Sequence, residues 1–239
     1  MLWWAFACTY RLHFTHDSSM PDEVTWSGYV LEDLSGKKDP LLLEDDGAFQ
    51  VVDLEDELVA DGEHSGDGYW FVVVPTDIEV AIRISGAEHI SSVWRAHTPS
   101  GRAYWLTGAL FTQYTSSFDA LVKALDGFEG LDPEDLAEGT VVHVWGQPLD
   151  PDAWAGAVVT ATGGDGADVP MFTFAVDEDK GVVTEAGDEP VSFFFGANAA
   201  PGDVTLRVAA VDGRVAETTY PTRGGDLVTA AFFDLGANP

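Results

Sequence analysis

From Val24 onward the chain alternates: short runs rich in Val, Ile, Thr and aromatic residues are broken by clusters of Gly, Asp and Pro. Apolar positions recurring every second residue mark a strand with one buried face, and the breakers supply the turns. In the first half the pattern predicts strands at 24–30 (VTWSGYV), 48–54 (AFQVVDL), 69–74 (YWFVVV), 80–85 (VAIRIS), 91–96 (SSVWRA) and 103–111 (AYWLTGALF). In the second half it predicts 140–146, 156–163, 171–176, 181–186, 191–196, 204–211 and 227–233. Within 204–211 (VTLRVAAV), Val204, Leu206, Val208 and Ala210 share one face while Thr205, Arg207 and Ala209 share the other. Val80, Ile82 and Ile84 repeat that arrangement in the first half.

Between the two runs of strands the period changes. Phe118, Leu121, Val122 and Leu125 recur at helical spacing, with Ser116 or Ser117 as cap and Gly127 as stop. A second short turn begins at Asp132, with Pro133 at its first position. Residues 9–23 are polar and aperiodic. The expected organisation is therefore a tether at 1–23, a β domain at 24–111, a helical connector at 112–139 and a second β domain at 140–239. In class this is an all-β chain of two tandem β-sandwich domains joined by a short helical connector, since sheets with one apolar face bury it by packing in pairs.

The two halves echo each other. PSGRAYWLTGALF (99–111) returns as PTRGGDLVTAAFF (221–233), which aligns Pro99 with Pro221, Thr107 with Thr229 and Phe111 with Phe233. Upstream, Val80, Ile82 and Arg83 align with Val204, Leu206 and Arg207, Tyr69–Phe71 with Phe193–Phe195, and Gly28 with Gly146. Ordered matches with slowly drifting spacing point to a duplicated domain with loop insertions.

Two resemblances bear on class. Gly146, Pro148, Ala155-Gly156-Ala157, Val159 and Ala161 resemble the opening of carboxypeptidase regulatory-like domains, and Gly68, Tyr69, Phe71, Pro75, Val80, Ile82 and Ile84 resemble that family's turn into an aromatic strand. Each half carries one part of the pattern well. The resemblance implies transthyretin-like or Ig-like sandwiches acting as non-catalytic accessory or adhesion modules outside the cytoplasm. At the N-terminus, MLWWAFAC resembles the end of a bacterial lipoprotein signal, which implies a lipid on Cys8. It departs from that pattern in having no basic residue before the cysteine. Two readings stay open: a signal that begins further upstream, and a fortuitous apolar start.

Composition narrows the partners. With 41 acidic against 11 basic residues the formal charge is −30, which repels phosphate backbones and anionic membranes. Eight Trp and 14 Phe give ample material for packed cores. One cysteine forbids an intrachain disulfide, and no apolar run reaches the length of a membrane-spanning helix. His13, His16, His64, His89, His97 and His143 show no zinc spacing, and no nucleophile elbow occurs. His143 is expected on an outer face, between inward Val142 and Val144. The acid clusters 44–47, 53–57, 165–168 and 177–181 offer oxygen ligands to calcium, but they lack the helix–loop–helix spacing and read as turns. No cofactor is expected.

The candidate site is one stretch where basic and aromatic residues interleave. Arg83, Trp94, Arg95, His97, Arg102, Tyr104 and Trp105 surround a single acid, Glu88, between 81 and 114. Guanidinium groups beside aromatic faces suit a carbohydrate or a carboxylate. Alternation places Trp94 and Arg95 on opposite faces. The expected function is a non-catalytic extracytoplasmic structural or interaction protein, a cell-envelope lipoprotein, meeting a protein or glycan at the cell surface. The alternative is a carbohydrate- or peptide-binding protein using this patch of the first domain.

Overall fold

The computed structural model describes residues 22–32, 47–64, 69–86, 89–98, 105–106, 110–112, 142–148, 151–177 and 182–233. Among them the regular structure is β, apart from one 3-10 turn at Pro151–Trp154, with no α-helix. The expected helical connector at 112–139 lies outside the described residues save for its first. The chain divides into two compact units, Met1–Phe118 and Asp119–Pro239.

In the first unit, one sheet joins β4 (Glu63–His64), β5 (Tyr69–Pro75), β1 (Glu23–Glu32) and β8 (Trp105–Leu106) in that order, with β9 (Leu110–Thr112) also on β1. The other runs β7 (His89–His97), β6 (Glu79–Gly86), β2 (Ala48–Val52), β3 (Leu58–Asp61). Val80, Ile82 and Ile84 are fully buried, as their alternation predicts. They share their face with Phe49 and Val51, whose register sets Phe49 opposite Ile84 and Val51 opposite Ile82. Phe49 stacks on Trp70 of the facing sheet at 4.4 Å, and Trp26 meets Trp70 edge-on at 5.6 Å. These rings knit the two sheets into one core.

In the second unit, one sheet runs β14 (Val182–Glu185), β13 (Met171–Asp177), β15 (Phe193–Ala199), β10 (Val142–Pro148), β18 (Leu227–Phe233). The other is four-stranded: β12 (Asp168–Val169), β11 (Val158–Thr162), β16 (Gly202–Ala209), β17 (Val215–Thr222). Val204, Leu206 and Val208 turn inward with Val159 and Ala161.

The two plans coincide. β3-β2-β6-β7 in the first unit matches β12-β11-β16-β17 in the second, strand for strand. The first strand of each unit pairs antiparallel with the aromatic strand, Gly28 facing Trp70 and Gly146 facing Phe194. It also pairs in parallel with the last strand, β1 with β8 and β9, β10 with β18. The echoed segments are those last strands, so the sequence writes the same closing strand twice because each unit closes on its own first strand. The second unit differs by β14, which adds a hairpin to β13.

One face departs from a plain two-layer sandwich. Gly146 and Phe194 face the interior, so Trp145, Phe193 and Phe195 face away from it, yet they are only 5%, 7% and 0% exposed. Trp145 and Phe174 each pack on Phe193 at 4.8 Å. This sheet is apolar on both faces. His143 does point away from the interior, as alternation predicts, but that face is covered and the imidazole is buried.

Candidate binding surface

The sequence assembles seven residues into one patch; the structure takes two of them out of the surface. Trp94 lies opposite Ile82 on the inward face of β7 and is 6% exposed. Arg83 faces the other way and is 4% exposed, with Nη2 donating to Asp56 Oδ1 at 2.7 Å. Asp56 stands in the β2–β3 turn with a left-handed φ of 64°, a conformation that aspartate tolerates. That partner, 27 residues away in sequence, is invisible to a reading of strand pattern. Arg102 and Tyr104 lie outside the described residues, as does Cys8. For Trp105 only the backbone is described, in parallel register with Trp26.

What remains on the surface is a row of alternating charges at the open end of the β6–β7 hairpin. Register sets Arg95 opposite Ala81 and His97 opposite Glu79 on one face. Glu79 bridges the two: Arg95 Nε donates to Oε2 at 3.2 Å, and Oε1 lies 3.0 Å from His97 Nδ1. On its far side His97 Nε2 lies 2.9 Å from Asp77 Oδ1. Asp77 is delivered there by the turn between β5 and β6, with a φ of 62°. Thr98 pins the neighbouring backbone, accepting from the Ile78 amide at 2.9 Å while its own amide donates to the Ile78 carbonyl.

Two carboxylate oxygens flanking one ring are satisfied together only by the imidazolium, which has two N–H donors. The hydrogen bond to Asp77, then that to Glu79, accordingly raises the His97 pKa above its ordinary 6.5. The row Arg95–Glu79–His97–Asp77 thus alternates basic and acidic groups. It offers a surface partner the half-exposed Glu79 and the more exposed Asp77 beside Arg95 and His97, already oriented.

Elsewhere the acid clusters 53–57 and 165–168 serve their turns, while 44–47 and 177–181 lie outside the described residues save for Gly47 and Asp177. Asp53 Oδ1 accepts from the Glu55 and Glu57 amides at 2.9 Å, and Asp165 Oδ1 accepts from Ala167 at 2.9 Å. Among the described residues no group of three or more His, Cys, Asp or Glu side chains is placed to hold a metal. The interior between the sheets of the second unit is nearly filled. A void of about 10 Å³ lined by Pro148, Trp154, Ala157, Val159, Val191, Phe194 and Val208 has room for about one water.

No family model matches the chain, and no curated protein matches it. Among solved structures, the Bacillus anthracis TIE protein is similar over 87% of this chain and 33% of its own, at 7% identity and a TM-score of 0.31. This chain thus spans about a third of that protein. The major pilin subunit of Bacillus cereus is similar over 86% of this chain and 69% of its own, at 9% identity and a TM-score of 0.27. A family 26 carbohydrate-binding module from Eubacterium rectale, solved with maltoheptaose, covers 89% of this chain and 94% of its own, at 12% identity and a TM-score of 0.25. At such values none of these likenesses carries what its protein binds over to this chain. The fold itself defines the class: among the described residues the structure is β save for one 3-10 turn, in two compact units that share a core strand order.

Proposed function

We propose that this chain is a non-catalytic, extracytoplasmic binding or structural module that meets a protein or glycan through the outer surfaces of its sheets. The observation that carries the reading is the packed interior of the second unit. Among the described residues, the void beside Phe194, Trp154 and Val208 there holds about one water, which favours recognition at the outer surfaces of those sheets. The row of Arg95, Glu79, His97 and Asp77 supports it, because these groups are exposed and already hydrogen-bonded to one another. The extracytoplasmic part rests on the resemblance to carboxypeptidase regulatory-like modules and to lipoprotein signals. Lipid on Cys8 belongs to the same proposal.

A carbohydrate- or peptide-binding role at the first unit is the second reading. Arg95 and His97, on one face, favour it. Trp94 drops out, and Arg83 with it, because both side chains are inside.

The experiment is a glycan and peptide array probed with the full chain, run beside a panel of ester, amide and glycoside substrates. Saturable retention without turnover is expected. Turnover of any substrate in the panel overturns the proposal.

A further inference from the structure

Two hairpins of the second unit are built alike. In the turn between β11 and β12 the Gly163 amide donates to the Ala167 carbonyl at 2.8 Å, and the Gly166 amide to the Gly163 carbonyl at 2.9 Å. In the turn between β16 and β17 the Ala210 amide donates to the Arg214 carbonyl at 2.9 Å, and the Gly213 amide to the Ala210 carbonyl at 3.0 Å. Each turn holds an Asp-Gly step: Asp165-Gly166, with a glycine φ of 80°, and Asp212-Gly213, with 91°. Each aspartate folds back over its own glycine, Oδ1 accepting from the amide two residues on, at 2.9 Å from Ala167 and 3.1 Å from Arg214. The difference lies on the other oxygen. Asp212 Oδ2 accepts from Arg214 Nε at 2.6 Å, whereas Ala167 stands in that place of the first turn and Asp165 Oδ2 has no donor among the described residues.

We propose that Asp165 is a site of spontaneous backbone isomerisation, a change from which Arg214 protects Asp212. The Gly166 nitrogen attacks Asp165 Cγ and a C–N bond forms. The bond from Cγ to its protonated oxygen breaks, and that oxygen leaves as water with the amide's proton. Water then opens the resulting succinimide at the former main-chain carbonyl, so that the chain runs on through the side-chain carbon as isoaspartate. The water lost on closure returns on opening, and no other reactant is needed. Three features serve the closure. The fold-back sets the carboxyl beside the glycine nitrogen. No Cβ shields that nitrogen, and the space where one would stand is open. One carboxyl oxygen is open to take a proton and leave. Asp212 lacks the last of these. The Arg214 amide, and after it the guanidinium, hold its carboxyl below the ordinary 3.8 and so ionised, without a leaving group. Asp212 and Arg214 are both partly exposed, so water weakens their pairing and the protection is a matter of a few-fold. The product at 165 adds a main-chain carbon to the hairpin that leads into β12, a strand held to β11 by two residue pairs.

The test keeps the full chain in warm, mildly acidic buffer for weeks, beside a sample unfolded in guanidinium, and maps the peptides by electron-transfer fragmentation, which tells the two linkages apart. In the folded chain isoaspartate is expected at Asp165 about two- to fivefold faster than at Asp212, the range a surface ion pair allows. In the unfolded chain the two sites should convert at similar rates. Exchanging the residue that differs should exchange the behaviour: Arg214→Ala brings Asp212 to the pace of Asp165, and Ala167→Arg slows Asp165. Both positions lie in surface turns, and an unchanged near-ultraviolet dichroism spectrum certifies the fold of each variant. A folded chain whose Asp165 stays intact while the unfolded chain converts overturns the proposal. So do equal rates at the two sites in the folded parent, or exchange variants that leave the rates where they were.

Discussion

Gly146 lies directly across from Phe194, and the ring occupies the space a side chain at 146 would need. A Cβ there would overlap the Phe194 ring and the Ala230 carbonyl. The first unit holds the same pair as Gly28 and Trp70. At Gly146 a large ring fills the middle of the sandwich because the strand beside it gives up its own side chain.

Gly146→Ala should therefore cost about 1–3 kcal/mol, the usual price of an overpacked core. Adding Phe194→Leu should recover part of it, because the ring leaves while the Ala230 carbonyl stays. Urea unfolding of the two variants checks this, with the sign of the interaction read from the double-mutant cycle.

Acid should find His143. Burial lowers its pKa from 6.5 to about 4. Above pH 6.5 the imidazole is neutral in both the folded and the unfolded chain and contributes no pH dependence. Below 6.5 the unfolded chain takes up a proton that the folded chain refuses, so stability falls as pH drops toward 4. The loss attributable to this group is about 3 kcal/mol across that window. His143→Leu should flatten the slope between pH 6.5 and 4. An equal slope in parent and variant would contradict the assignment.

His97 has the opposite sign. Its raised pKa means the ion-paired ring favours the folded state below 6.5, and that contribution is lost as pH rises through the folded pKa. Imidazole proton shifts should titrate above 6.5 in the parent. Asp77→Asn and Glu79→Gln should each move the midpoint down, Asp77→Asn further, because its hydrogen bond is the larger cause.

Asp56→Ala should remove a carboxylate from a guanidinium that is almost wholly buried. The cost should be about 2 kcal/mol, below that of a fully buried pair because Asp56 itself remains a quarter exposed and water can reach the gap. Arg83→Met, which removes the charge and keeps most of the volume, should cost less than Asp56→Ala. Thermal unfolding of both variants tests the order.

The alternation of Val80, Ile82 and Ile84, and of Val204, Leu206 and Val208, was legible because a period of two survives any tertiary context that buries one face. The shared strand order of the two units was legible for the same reason: Gly28 and Gly146 hold the same place in register, opposite Trp70 and Phe194. The run Phe193–Phe195 was not. Three consecutive aromatics carry no period, so nothing in them tells that Phe194 enters the interior while Phe193 and Phe195 line a second covered face. Arg83 misled for a related reason. On a strand it reads as surface, and the β2–β3 turn that brings Asp56 to it helps make its burial tolerable. The separation of Trp94 from Arg95 was plain in the sequence. That Glu79 and Asp77 would gather Arg95 and His97 into one row depends on the register of β6 with β7, which no local pattern states.

Recognition is proposed to fall on the outer surfaces of the sheets. Its most direct test is hydrogen exchange by mass spectrometry on the full chain, with and without the glycan or peptide that the array retains. Amides of β2 and β6, and of β11 and β16, should exchange slowly in both states, and added protection should fall on exposed positions such as those around Asp77, Glu79, Arg95 and His97. New protection centred on the strands that line the Phe194–Val208 interior, or consumption of the ligand during the experiment, would contradict it.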